Sequence, residues 1–138
     1  MFCQARLSPP LIGQVIAEAS LSTPQEYMEE VYDEYLARRN YLIDQLIHIR
    51  GVFAPTPMGA FYVMVQLPVD DTDKFCQWCL TDFQYEGQTV MMAPGSGFYT
   101  DPEQGKKQVR MAYILNKEDL NKAMIVLRKA LEAYNEQK

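Results

Sequence analysis

The residue whose type and position most clearly allow chemistry is Arg110, in the stretch Gln108–Leu115. The stretch is typical of a buried strand with two alternating sets of side chains: Val109, Met111, Tyr113 and Leu115 on one face, and Arg110, Ala112 and Ile114 on the other. A guanidinium is costly to bury unless an anion meets it, and its fork of donors matches a carboxylate. The pattern therefore predicts a carboxylate ligand, or a structural ion pair with Glu86, Asp101 or Glu103.

The cysteine pair and the single histidine offer weaker chemistry. Cys76 and Cys79 have the spacing of a redox motif, but they fall inside an amphipathic helix, on its apolar side. Only Cys3 and His48 remain as further soft metal ligands, so core packing is the favoured interpretation. His48 lies near the end of a long helix, where a histidine interacts favourably with the helix dipole.

Three other groups of polar or glycine residues have simple structural interpretations. Ala93–Phe98 is glycine-rich, but a turn-like acidic segment follows it, so a substrate-lining or hinge loop is as reasonable as a phosphate site. Asp70, Asp71 and Asp73 suit the start of a helix. Arg38 and Arg39 are expected on the solvated side of the long helix.

Composition excludes several classes of function. The chain has 138 residues, 48% of them hydrophobic, and a formal net charge of −5. A packed domain is therefore expected, and the scattered lysines and arginines speak against nucleic-acid binding. The longest apolar run, residues 60–65, is far too short to span a membrane, and no signal peptide is recognised. The odd number of cysteines suggests free thiols and a cytoplasmic location.

The helix signals begin early in the chain. Residues 1–22 are predicted to be a lead-in, extended from Phe2 to Ser8, with a short helix starting at Pro9 and Pro10. A long helix over residues 24–50 follows, opened by the capping box Thr23–Glu26 and ended by Gly51. Its apolar stripe comprises Tyr27, Val31, Tyr35, Leu42, Leu46 and Ile49.

Strands and helices then alternate over residues 52–136. Strands are predicted at 52–54, 59–67, 89–92 and 108–115; one helix is capped by Asp70 or Asp71, and the last is capped by Asn116. The buried faces of these two helices are predicted to comprise Phe75, Cys76, Cys79, Leu80 and Phe83, and Leu120, Ala123, Met124, Leu127, Leu131 and Tyr134. The order indicates an α+β domain of the α/β class over residues 23–138, with a small mixed or antiparallel sheet covered by helices.

Four segments together resemble one known family. They are Ala5–Gln14 ahead of the long helix, Pro57–Tyr62, Ala93–Phe98 and Val109–Tyr113. Their order and spacing are similar to the C-terminal, small domain of class I/II pyridoxal-phosphate aminotransferases, and to the aspartate aminotransferase-like branch in particular. The resemblance covers nearly the whole chain, and the segments are more specific jointly than singly.

The resemblance implies roles for several residues. Arg110 matches the arginine that binds the α-carboxylate of the amino-acid substrate, and Gly59 and Phe61 match positions that line the approach to the active site. Arg6 lies near a second substrate-binding arginine of related enzymes, but its offset from Pro9 is unusual and the role is not transferred. Pyridoxal 5'-phosphate, a large domain, a second subunit, and an amino acid with its 2-oxo acid are the implied cofactor and partners.

The catalytic lysine of the family has no counterpart in this chain. The family forms its Schiff base from a serine-x-x-lysine motif, and the residues three positions after the serines are Leu11, Thr23, Gln25 and Tyr99. The aspartate that pairs with the pyridine nitrogen belongs to the large domain, which is also absent. We therefore expect no bound cofactor and no transamination by this chain alone. The alternative is a stand-alone α+β module that binds a small acid through Arg110; the amino donor and the oligomeric state stay open.

Overall fold

The computed structural model describes residues 8–136, in two compact units. The first unit ends at Glu34 and the second begins at Tyr35. The helices and strands, in chain order, are α1 (Leu11–Ser20), α2 (Gln25–Ile47), β1 (Tyr62–Gln66), α3 (Thr72–Thr81), β2 (Ala93–Pro94), a 3₁₀ turn (Ser96–Phe98), α4 (Pro102–Gly105), β3 (Gln108–Ala112) and α5 (Lys117–Glu136). In this part of the chain, no helix combines the length and apolar character of a membrane span.

The first unit is helical and exposes its apolar side chains. Helix α1 begins at Leu11, directly after the two prolines that were predicted to start it, and none of its residues is buried. The residues predicted to form its apolar face are largely exposed: Leu11, Ile12, Val15 and Ile16. The extended lead-in predicted from Phe2 lies, apart from Ser8, outside the described residues, and so does Arg6. Within the described part of this unit, residues 8–34, the apolar face of α1 is therefore not covered.

Helix α2 is shorter than predicted and crosses the boundary between the units. The Pro24 carbonyl accepts from the Met28 amide, and the helix ends at Ile47 rather than at residue 50. Gly51 has a φ of +83°, but it lies in the turn between Ile49 and Val52, beyond the end of the helix, so it does not terminate the helix as predicted. Only Leu42 and Leu46 of the predicted stripe are buried, whereas Tyr27 is exposed.

The second unit contains a three-stranded antiparallel sheet with the order β1-β3-β2. Val63 pairs with Met111 and Val65 with Val109, so these four side chains face the core together. No parallel pair joins the strands of residues 8–136, and the mixed alternative for the sheet is therefore excluded there. Strand β3 lies in the centre, hydrogen-bonded on both sides.

All four strand predictions need correction. The strand predicted at 108–115 ends at Ala112, and Leu115, which was assigned to its buried face, is 45% exposed. The segment at 52–54 makes only one bridge, Phe53 with Gln66, since two prolines follow it closely. The strand predicted from Gly59 begins at Tyr62, because Ala60 has a φ of +61° and the chain turns there. The strand predicted at 89–92 lies instead at Ala93–Pro94, where the chain reaches β3. Pro94 is tolerated because β2 is an edge strand.

The helices that cover the inner face of the sheet largely match the prediction. The Asp71 carboxylate accepts from the Asp73 and Lys74 amides, and Asn116 Oδ1 accepts from the Asp119 amide, so both predicted caps are confirmed. Leu80 is 54% exposed, which corrects its assignment to the core. Helix α5 buries two residues that the sequence pattern missed, Val126 and Ala130.

Candidate functional site

Arg110 lies in the middle of β3 and points away from the core. Its neighbours Val109 and Met111 are buried, whereas Arg110 itself is exposed, so the predicted alternation is confirmed. Met64 of β1 and Ala93 of β2 are its direct partners across the two ladders. The outer face of the sheet therefore presents one cation between two uncharged neighbours.

No acidic side chain of the described segment pairs with Arg110. Within residues 8–136 the guanidinium makes neither a hydrogen bond nor an ion pair. Glu103, one predicted partner, instead contacts Lys106 at 2.9 Å, and Asp101 accepts from the Glu103 amide as the cap of α4. The third, Glu86, lies in the turn between Tyr85 and Gln88. The structural ion-pair alternative is therefore not supported.

Two aromatic rings contact the guanidinium instead of an anion. The Arg110 Cζ lies 4.8 Å from the centre of the Phe98 ring and 5.4 Å from the centre of the Tyr62 ring. Tyr62 belongs to β1 and Phe98 follows β2, so the rings approach from opposite sides of β3. A cation is attracted to the face of an aromatic ring, which leaves the N–H edge of the guanidinium available for an acceptor.

The loop before β1 is held at both ends. Arg39 Nη1 donates to the Pro57 carbonyl, and the buried Tyr113 hydroxyl donates to the Ala60 carbonyl at 2.8 Å. The Tyr113 amide donates to the Phe61 carbonyl. These bonds fix the point at which Tyr62 enters the sheet.

The two residues predicted to line the site lie in or beside this loop. The Phe61 ring packs edge-on against the Tyr62 ring, with centroids 5.7 Å apart, and is 53% exposed. A side chain at Gly59 would meet nothing within 4 Å, so this position faces open space. Phe61 thus contacts the Tyr62 ring, which in turn contacts Arg110. Their site-lining role remains a prediction.

The turn that carries Phe98 is packed backbone to backbone. A Cβ on Gly95 would lie 2.6 Å from the Gln108 carbonyl oxygen and 2.7 Å from that of Gly105. The amides of Gly95, Phe98 and Tyr99 donate to carbonyls of Gln108, Gly95 and Ser96. These donors are thereby used inside the fold, which argues against a phosphate cradle and for a structural loop.

Arg38 and Arg39 are half-buried and structural, contrary to the prediction that they face solvent. Arg38 Nη1 donates to the Ile114 carbonyl, just after β3, and its Cζ lies 5.3 Å from the centre of the Tyr35 ring. Arg39 anchors the loop before β1, as described above. His48 follows the last residue of α2, and its Nδ1 lies 2.6 Å from the Asp44 carbonyl. Since a carbonyl only accepts, this contact favours a capping role for His48.

The cysteine pair belongs to the core. Cys76 and Cys79 are buried free thiols, as predicted. Burial raises the pKa of Cys76 to about 11 and that of Cys79 to about 12. A redox thiol needs a lowered pKa and access to solvent, so the structure opposes that chemistry.

Three lysines of the described segment are poorly suited to a Schiff base. Lys106, Lys122 and Lys129 donate hydrogen bonds to the carboxylates of Glu103, Asp119 and Glu132, which raises the pKa of each lysine. A nucleophilic lysine needs the opposite shift, from burial or a neighbouring cation. Among residues 8–136, His, Cys, Asp and Glu form no cluster of three that is suited to a metal ion.

Two of the residues around Arg110 were missed by the sequence pattern. Tyr62 could have been assigned to the outer face, since it precedes the inward-facing Val63. Phe98 carried no such signal, because its contact with Arg110 depends on the pairing of β2 with β3.

Comparison with known proteins gives a consistent picture. The family model for aminotransferase class I and II matches residues 4–127. The chain is 34% identical over 107 residues to the aspartate aminotransferase of Pyrococcus horikoshii. This alignment covers 76% of this chain and 25% of that protein. It is 29% identical over 135 residues to the aspartate aminotransferase of Bacillus subtilis, covering 93% of this chain and 32% of that protein.

Solved structures share the fold. An alanine aminotransferase from Pyrococcus furiosus superposes with a TM-score of 0.77 at 27% identity, over 96% of this chain and 32% of that one. The α-aminoadipate aminotransferase of Thermus thermophilus, solved with N-(5'-phosphopyridoxyl)-L-leucine, gives a TM-score of 0.79 at 20% identity, over 99% of this chain and 34% of that one. The chain thus spans a quarter to a third of the length of these relatives, and it belongs to the class I and II aminotransferase family.

Proposed function

We propose that this chain is the C-terminal, small domain of a pyridoxal-phosphate-dependent aminotransferase, and that Arg110 binds the α-carboxylate of the amino-acid substrate. The observation that carries the proposal is the exposed Arg110 guanidinium, which has aromatic contacts but no acidic partner within the described residues. An exposed guanidinium without an acidic partner is available to bind an anion from outside the domain. The parent enzyme would transfer an amino group between an amino acid, aspartate or an aromatic one, and a 2-oxo acid.

The chemical contribution of Arg110 is binding and orientation. Two parallel N–H···O bonds to a carboxylate fix both the position and the plane of the substrate. A fixed substrate has its α-carbon in position for reaction. Much of the entropic cost of bringing the reacting groups together is then met by binding. Water excluded by the rest of the enzyme would strengthen this ion pair.

The rest of the active site would come from outside this chain. The cofactor acts as the electron sink of transamination when bound, and it requires a lysine, a phosphate site and a partner for the ring nitrogen. The lysines of the described segment are exposed or ion-paired, so we assign those groups to a large domain and to the second subunit of a homodimer. The chain alone is expected to be inactive, and the free thiols support a cytoplasmic location.

The test is a substitution in the complete aminotransferase that carries this domain. Arg110→Ala should raise KM and lower kcat/KM, with a loss of about 2–4 kcal/mol in transition-state binding. Arg50→Ala, in the exposed turn after α2, serves as the matched control and should leave both constants unchanged. Unchanged kinetics in Arg110→Ala would reject the proposed role.

A further inference from the structure

We infer that Tyr62 and Phe98 are positioning residues for Arg110, and that their rings hold the guanidinium with its N–H edge directed outward. The inference relies on the proposed function only for the identity of the anion, a substrate carboxylate. Its structural basis is the pair of ring contacts at 5.4 Å and 4.8 Å.

The need for such positioning follows from the exposure of Arg110. An exposed arginine samples many rotamers, and a bidentate bond to a carboxylate requires one orientation of a planar group. Elsewhere in proteins an ion pair restricts the side chain, but Arg110 has none within residues 8–136. The two rings are therefore the contacts that can restrict it.

Each ring is fixed independently of Arg110. Tyr62 pairs with Ala112 in the ladder between β1 and β3. The loop that precedes it accepts hydrogen bonds from Tyr113 and Arg39. Phe98 ends a turn that the Gly95 amide ties to the Gln108 carbonyl at 2.6 Å. The two supports lie on opposite sides of β3, and neither depends on the other.

The arrangement also explains why the rings remain partly exposed. Tyr62 is 40% exposed and Phe98 is 51% exposed, so both rings are accessible to a ligand that binds Arg110. A ring whose face contacts a guanidinium, and whose remainder borders a ligand, has a reason to be at the surface. The same rings could cover the apolar part of a bound amino acid.

The experiment is NMR spectroscopy of the labelled 138-residue chain. Ring currents should move the Arg110 Hδ and Hε resonances upfield relative to those of Arg50, and the ¹⁵Nε relaxation of Arg110 should show a more restricted side chain. Phe98→Leu and Tyr62→Leu should each reduce both effects, whereas Phe98→Tyr and Tyr62→Phe should retain them. Amide shifts of the buried Val65 and Val109 report whether each variant keeps the fold.

Two results would overturn the inference. One is an Arg110 side chain that is as mobile as the Arg50 side chain in the unsubstituted chain. This measurement does not depend on whether any variant folds. The other is survival of the ring-current shift in both leucine variants.

Kinetics in the complete aminotransferase separate this inference from the proposed function. Each leucine variant should raise KM about two- to fivefold with a smaller change in kcat, and the variants that retain a ring should restore the original KM. If Arg110→Ala leaves the kinetics unchanged, the proposed function fails while the positioning measured by NMR stands. If Arg110→Ala strongly lowers kcat/KM but neither leucine variant changes KM, the positioning role is rejected while the proposed function stands.

Discussion

The backbones of Gly95 and Gly105 lie in direct contact, so closely that neither residue has room for a side chain. A Cβ on Gly105 would overlap the Gly95 carbonyl group, and one on Gly95 would meet the Gly105 oxygen at 2.7 Å. This contact joins the turn before Phe98 to the end of α4. It therefore helps to fix the position of the turn that carries Phe98.

Gly105→Ala should therefore destabilise the chain. Forced separation of the two backbones is expected to lower the free energy of unfolding by about 1–3 kcal/mol, the usual cost of overpacking. Urea denaturation followed by circular dichroism measures this change. Gly97→Ala is the matched control, because a Cβ there meets nothing within 4 Å. Equal midpoints for the two variants would contradict the packing described here.

Thr72 offers a second test of the packing beneath the site. Thr72 is fully buried, and its single hydroxyl proton is shared between the carbonyls of Gln108, at 2.8 Å, and Lys106, at 3.1 Å, at the start of β3. Thr72→Val keeps the shape but removes both bonds, and it should cost about 1–2 kcal/mol of stability. Thr81→Val removes a hydroxyl from an exposed position and should change stability little. A neutral Thr72→Val would show that these two bonds add no net stability.

Alkaline pH should weaken the fold through the buried thiols. Folding raises the pKa of Cys76 from 9.0 to about 11, and that of Cys79 from 9.0 to about 12, because burial disfavours the thiolate. The unfolded state therefore loses its thiol protons first. The stability that this shift provides is complete below pH 9 and falls as the pH rises toward 11 or 12, by roughly 1.4 kcal/mol per pH unit for each thiol.

The measurement is the unfolding free energy between pH 8 and about pH 11, compared with that of Cys76→Ala and Cys79→Ala. Each substitution lowers stability at every pH by removing a packed side chain, so the slope is the informative quantity. Burial also raises the pKa values of Tyr113 and Tyr134, which the variants retain as a common background. Slopes identical to that of the unsubstituted chain would refute the assignment to the thiols.

Titration of the isolated chain with carboxylates distinguishes the two functions considered for Arg110. A domain that holds only part of a site should show no saturable shift of the Arg110 or Tyr62 resonances with succinate or L-aspartate. Calorimetry over the same concentrations should show no binding heat. Saturable binding that Arg110→Ala abolishes would instead favour a stand-alone module that binds small acids.

The local features of the fold were predictable because each depends on residues close together in sequence. The alternation from Val109 to Met111, the helix start after Pro10, and the caps at Asp71 and Asn116 all follow from periods and capping rules. The unpaired state of Arg110 could not be predicted, since the pattern identifies the cation but not its surroundings.

What the pattern missed depends on long-range pairing. The short strand predicted at 89–92 is observed at Ala93–Pro94, because its position depends on where the chain pairs with β3. Arg38 and Arg39 resemble surface cations in sequence, but they bind carbonyls of Ile114 and Pro57, far along the chain. Leu80 fits the apolar face of α3 by spacing but is exposed, because no element within residues 8–136 covers that position.

The central place of β3 has a consequence for hydrogen exchange. Strand β3 is paired on both sides, and its side chains at Val109 and Met111 enter the core. Amides in such a position exchange only when much of the domain opens, whereas edge strands and loops open locally. The backbone that carries Arg110 should thus be among the slowest to exchange. A ligand held by this residue would be tied to the part of the domain that unfolds last.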